Sequence, residues 1–108
     1  MKKELGKIRN VVLGLGGYQD AQIGIWFTFG GDGWGVSNGR GVWQGNPSSS
    51  AKWTMEDKLK SMGEIMLYIE GLLKEAKVSD VNDLIGIPVE ITFEGGKLDS
   101  WRILTEVI

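Results

Sequence analysis

A chain of 108 residues with 17 Gly, 5 Trp, no Cys and no His has the length of one small domain, residues 1–108. It lacks the ligands or imidazole that a zinc finger, iron–sulfur cluster, haem site, disulfide framework, thiol nucleophile or Ser-His-Asp triad requires. A net charge of −2 runs against the basic footprint of generic duplex nucleic-acid binding, and no apolar run approaches the roughly 18 residues of a membrane span.

The N-terminal lysines are followed by no apolar signal-peptide core, so a cytoplasmic protein with no membrane association is expected. Residues 1–46 carry five basic and three acidic side chains, residues 47–108 seven and eleven, and twelve of the glycines fall in the first part. Glycine at about 16% is twice the usual level of roughly 7%, but the 42% hydrophobic fraction is that of a folded chain.

Taken in chain order, residues 7–45 read as strands. Arg9, Val11, Leu13 and Leu15 alternate with Ile8, Asn10, Val12 and Gly14; Ile23, Ile25, Phe27 and Phe29 alternate with Gln22, Gly24, Trp26 and Thr28. Glycine turns at 16–20 and 30–33 join them into an antiparallel meander, with a third strand from Trp34 to Gln44. Residues 46–53 have linker composition. Thr54 and Asp57 then form a capping box, and Met55, Leu59, Met62, Met66, Ile69, Leu73 and Ala76 make an apolar helical stripe over 55–77.

Ser79 or Asp80 caps a short turn from Val81 to Ile85 that Gly86 closes. Pro88 opens a strand with Val89, Ile91 and Phe93 on one face, and Gly95-Gly96 is hairpin chemistry. A two-residue loop pairs Phe93 with Leu98, and strict alternation would then turn Trp101 and Ile103 away from the apolar face. A bulge near Asp99-Ser100 restores Trp101, Ile103, Thr105 and Val107 to the core.

The most unusual local pattern is Gly31, Gly33, Gly35, Ser37, Gly39 and Gly41 at period two. An extended segment of this kind has one face almost without side chains, open to a helix, a Trp ring or a flat ligand; Gly63 and Gly71 offer a helical partner. The run from Gly14 to Asp20 lacks the Lys-Ser/Thr pair and the following helix of a phosphate loop, although its turn N–H groups could form a small anion nest.

Trp101 is expected in the core, and Trp26, on the far face, under the helix or a second subunit. Trp34, Trp43, Trp53 and Tyr18, set among polar residues and glycine, are candidates for an exposed aromatic site. Arg40 and Lys52 are the nearest cations for a phosphate. Gln19, Asp20 and Asn38 have the donors and acceptors to read a sugar or base edge. The paired carboxylates lie in helix caps and Ser48-Ser49-Ser50 has no base, so neither catalysis nor a cofactor or metal is expected.

At Gly16-Gly17-Tyr18-Gln19-Asp20-Ala21, Asp32-Gly33-Trp34-Gly35, Lys52-Trp53-Thr54, Pro88-Val89-Glu90 and Ser100-Trp101-Arg102-Ile103-Leu104, the chain resembles short phage and prophage accessory proteins. The resemblance runs over nearly the whole chain and carries no catalytic motif. It implies a phage setting, in which small proteins of this kind act as anti-defence factors that sequester an immune signalling nucleotide or plug a host defence protein.

The expected fold is α+β: an antiparallel sheet, made of the N-terminal meander and the C-terminal hairpin, with one long helix packed across it. Small size and surplus tryptophan suggest a homo-oligomer. The expected function is non-enzymatic anti-defence by sequestration of a small anionic, nucleotide-like signal in the host cytoplasm. Its ligand-binding residues would be Tyr18, Gln19, Asp20, Trp34, Asn38, Arg40, Trp43, Lys52 and Trp53. The alternative is a protein-blocking inhibitor acting on a host defence complex through an acidic helix face of Glu56, Asp57, Glu64, Glu70 and Glu75.

Overall fold

Five strands and one long helix make up the computed structural model, which describes residues 1–48 and 52–108. The strands are β1 Lys2–Gly16, β2 Gln22–Gly31, β3 Trp34–Trp43, β4 Pro88–Glu94 and β5 Lys97–Ile103; the helix α1 is Met55–Ala76. All strand pairs are antiparallel, in the order β3-β2-β1-β4-β5. The expected meander and C-terminal hairpin are therefore both present, and the fold is α+β. Part of the expected linker, Ser49, Ser50 and Ala51, lies outside the described residues.

β1 joins the two halves. Its first residues pair with β4 and the rest with β2, and a bulge at Arg9 separates Ile8↔Phe29 from Asn10↔Thr28. The extra residue inverts the alternation, so Ile8 shares a face with Val11, not with Asn10 as simple parity suggests. The second bulge lies where parity requires one: Thr92 pairs with Ser100 and Phe93 with Leu98, leaving Asp99 unpaired.

That bulge returns Trp101 and Ile103 to the apolar face, with Ile103 buried. Thr105 and Val107 do not follow. The strand ends at Ile103 and the chain enters a short turn at Thr105–Val107, leaving both residues exposed. There Arg102 donates two hydrogen bonds of 3.0 Å to the Glu106 carboxylate and one of 3.2 Å to Glu90. The fork holds the Glu106 carboxyl down at about 2.

Ile8, Val11, Ile25, Phe27, Phe29, Val89, Ile91 and Ile103 form the sheet's contribution to the core, closed by Leu84 and by Ile69, Leu72 and Ala76 of α1. Each fully buried side chain of this size contributes about 1.5–3 kcal/mol by leaving water. Trp101 of β5 meets Phe27 and Phe29 of β2, with ring centroids 5.2 and 4.7 Å apart. These strands are three spacings apart, about 14 Å in a flat sheet. The sheet must therefore coil, bringing its edge strands β3 and β5 toward each other, and α1 packs against both.

The capping box at the start of α1 is complete. The Asp57 N–H donates to the Thr54 hydroxyl (3.1 Å) and the Thr54 N–H to the Asp57 carboxylate (3.0 Å), which lowers the Asp57 pKa. Lys77, in the left-handed region with φ 60°, ends the helix.

The buried stripe is rotated from the expected one. Lys58, Ile69, Leu72 and Ala76 are buried, whereas Met55, Leu59 and Met66 are exposed. Lys58 accounts for part of the rotation: its aliphatic stem packs inward while its ammonium donates to the Gly45 carbonyl and to Asn46 Oδ1. This ties the first turn of α1 to the chain leaving β3.

The segment of alternating glycines is an ordered strand, and Trp rings, not α1, occupy its bare surfaces. On the face away from α1, the Trp26 ring spreads over Gly16, Gly39 and Gly41, where a Cβ at Gly41 would lie 2.8 Å from Cη2. The Trp26 indole donates to the Gly14 carbonyl at 3.1 Å. On the other face, Trp34 lies over Gly31 and Gly6. The far-face tryptophan is thus not covered by the helix but lies flat on its own sheet.

Gly63 and Gly71 face open space where a Cβ would stand and do not pack on the strand. Gly63→Ala and Gly71→Ala should therefore each stabilise the protein by about 0.5–1 kcal/mol through helix propensity alone. Urea unfolding midpoints at unchanged slope would measure the gain.

Candidate functional site

The coil of the sheet leaves a cleft where its two edges come close. Asn38, Gly39 and Arg40 of β3 line one side, Asp99, Ser100 and Trp101 of β5 the other, and Tyr68 of α1 the end; its volume is about 280 Å³. The pairings Asn38↔Phe27 and Arg40↔Ile25 put Asn38 and Arg40 on the face that bears α1. The bulge at Asp99 shapes the opposite wall.

Arg40 is the chemical centre. Its guanidinium carbon stands 3.9 Å from the centroid of the Tyr68 ring, a cation–π geometry that holds the side chain in place. Among the described residues it has no carboxylate within ion-pair distance, in contrast to Arg102, which has two. Its planar fork is thus oriented but electrically uncompensated, the state in which arginine best receives a phosphate or carboxylate.

Tyr68 is half-buried. Burial pushes its phenol pKa above the ordinary value, while the Arg40 charge and hydrogen bonding toward Trp101 and Arg40 act in the opposite direction. The phenol is therefore neutral at physiological pH, with its oxygen facing the Trp101 and Arg40 donors. Asn38 offers an amide, Ser100 a hydroxyl and Asp99 a carboxylate, so the cleft presents a cation at one wall and an acceptor of N–H donors at the other.

Of the expected ligand residues, Asn38 and Arg40 come together here, and the others are dispersed. Trp34 is nine residues from Trp43 along β3, about 30 Å in an extended strand. It is packed edge-on against Phe93, with ring planes at 90° and centroids 5.6 Å apart. Tyr18, Gln19 and Asp20 form the exposed tip between β1 and β2, with Trp43 at the same end of the sheet. Gln44 Nε2 donates to the Asp20 carbonyl at 2.9 Å.

At this tip the Asp20 and Ala21 N–H groups donate to the Gly17 and Tyr18 carbonyls. The turn thus uses two of the donors that an anion nest would need. Lys52 is exposed and Trp53 half-buried in the chain leading to α1.

Tyr68, Asp99, Ser100 and Trp101 line this candidate cleft, and the sequence pattern does not single them out for it. A signal exists for three of them, because the bulge inferred at Asp99-Ser100 is a device that re-aims side chains beside sites. Tyr68 carries the weaker signal of a polar-tipped aromatic beside the helix's apolar stripe.

Of the acidic residues of α1, Asp57 caps the helix and Glu70 lies 3.8 Å from Lys74. Among the described residues, no group of three or more acidic side chains is arranged to hold a metal ion, and no helix is long and apolar enough to cross a membrane. Comparison with protein-family models, curated proteins and solved structures finds no match to this chain.

Proposed function

We propose that this protein is a non-enzymatic binder of a small, anionic, nucleotide-like ligand held in the cleft between β3 and β5. The observation that carries the reading is Arg40, stacked on Tyr68 and without an ion-pair partner among the described residues. The anionic end of the ligand meets Arg40, and a base edge with N–H donors meets Asp99. A cleft of about 280 Å³ falls just below the roughly 300–1,000 Å³ of drug-sized small-molecule sites, which limits the ligand to a single nucleotide unit at most.

Sequestration of an immune signal in the host cytoplasm, in the phage setting of the resembled accessory proteins, is the biological form of this proposal. A homo-oligomer belongs to it as well, supported by the exposure of Leu13, Leu15, Leu59, Met66 and Leu67.

Native mass spectrometry of protein purified from phage-infected and uninfected hosts tests the reading, together with calorimetric titration of nucleoside monophosphates and inorganic phosphate. The expected result is a reproducible extra mass of one ligand per cleft and saturable nucleotide binding. Arg40→Ala should weaken that binding about 10–100-fold, the loss of a charge-assisted contact. Identical bare spectra and flat titrations would overturn it and favour the protein-blocking alternative, which charge reversal at Glu64 and Glu70 then tests.

A further inference from the structure

A second and larger cavity, about 550 Å³, lies at the opposite end of β3, where the turn between β2 and β3 approaches the turn between β4 and β5. Its wall is the perpendicular pair Trp34 and Phe93, and the glycine turns at Gly33, Gly95 and Gly96 leave part of its rim without side chains. Trp34 is fixed from behind: its ring lies on the backbone of Gly31 and Gly6, where a Cβ at Gly6 would come within 2.8 Å of it.

The charges around this corner are unequal. Lys2 is engaged by Glu4 at 3.0 Å, and the Met1 amine lies 3.9 Å from Glu94. Asp32, which also lines the cavity, has no ion-pair partner among the described residues. Two aromatic rings at right angles beside an uncompensated carboxylate are the elements that recognise an organic cation. The ring quadrupoles attract the charge while the rings cover its methyl groups.

We propose that the Trp34–Phe93 corner, with Asp32, is a binding site for a small quaternary or methylated ammonium group. This site is distinct from the Arg40 cleft and does not depend on it. The test is an NMR titration of the native protein, following the Trp34 indole N–H, with choline and with its neutral isostere 3,3-dimethylbutan-1-ol.

A saturable shift is expected with choline, at least about tenfold tighter than with the alcohol, because only the cation gains the electrostatic part of the attraction. Asp32→Asn, in an exposed turn, should weaken choline several-fold and leave the alcohol and the fold unchanged. Arg40→Ala should not alter choline binding at all. Equal affinity for the two probes, or no saturable shift with choline, would overturn the assignment.

Discussion

Gly24→Ala is expected to lower the melting temperature by about 15 °C or to prevent folding. Gly24 is buried, paired with Gly14 on one side and Gly41 on the other. A Cβ placed there would overlap the Arg40 carbonyl oxygen and come within 2.6 Å of the Gly41 Cα. Both obstacles are backbone, so relief requires β2 and β3 to separate, with loss of ladder hydrogen bonds next to the core. Overpacking with backbone displacement costs about 3 kcal/mol, and about 4–8 °C accompany each kcal/mol in a domain of this size. Gly14→Ala is the control from the same row: its nearest neighbour is Val12 Cγ1 at 3.9 Å, an ordinary contact, and its effect should stay within about 0.5 kcal/mol. Thermal unfolding followed by circular dichroism reads both; equal melting points for the two variants would refute the close approach of β2 and β3.

The parts of the fold legible in the sequence are those written in local pattern. Alternation from Gln22 to Phe29, the Thr54–Asp57 box and the Gly95-Gly96 turn each depend on residues a few positions apart. The Asp99 bulge is legible because a two-residue turn fixes the register, and only an extra residue reconciles that register with burial of Ile103. By contrast, the Arg9 bulge has no turn to betray it: Ile8 and Val11 look out of phase until β1 is seen to serve two partners.

The helix departs from its sequence pattern for a related reason. Hydropathy draws the apolar stripe through Met55, Leu59 and Met66, because it gives Lys58 no credit for a buried stem. The candidate site is the least legible part, since it is created by long-range geometry. Nothing local says that coiling of the sheet brings Arg40 near Asp99, or that Trp34 is held against Phe93. The tryptophans interleaved with glycine include two whose rings need that glycine as a bed. Trp26 and Trp34 lie on bare backbone on opposite faces, and the glycine pattern is first of all the complement of those rings.

Trp101→Ala should be the other large destabilisation, about 3–5 kcal/mol, a substantial part of the roughly 5–15 kcal/mol that holds a typical domain folded. Its ring packs against both Phe27 and Phe29. It therefore bridges the outer strand of the C-terminal hairpin to the meander across the interior of the coil. Truncation opens a cavity where the two halves meet and removes the aromatic pairs, each worth about 0.5–1.5 kcal/mol beyond area burial.

Trp101→Phe keeps an aromatic surface in the same place and should recover more than half of the loss in chemical denaturation. Because Trp101 also walls the cleft beside Arg40, the proposed nucleotide binding would be coupled to stability at this residue. Arg40→Ala separates them, since it removes an exposed charge from the cleft and leaves the Trp101 packing in place. If Arg40→Ala weakens nucleotide binding by the expected factor of about 10–100 at an unchanged melting temperature, while Trp101→Phe weakens binding only in proportion to its stability loss, recognition resides in the guanidinium. Trp101 then serves to hold the two edges of the sheet at the spacing the ligand needs.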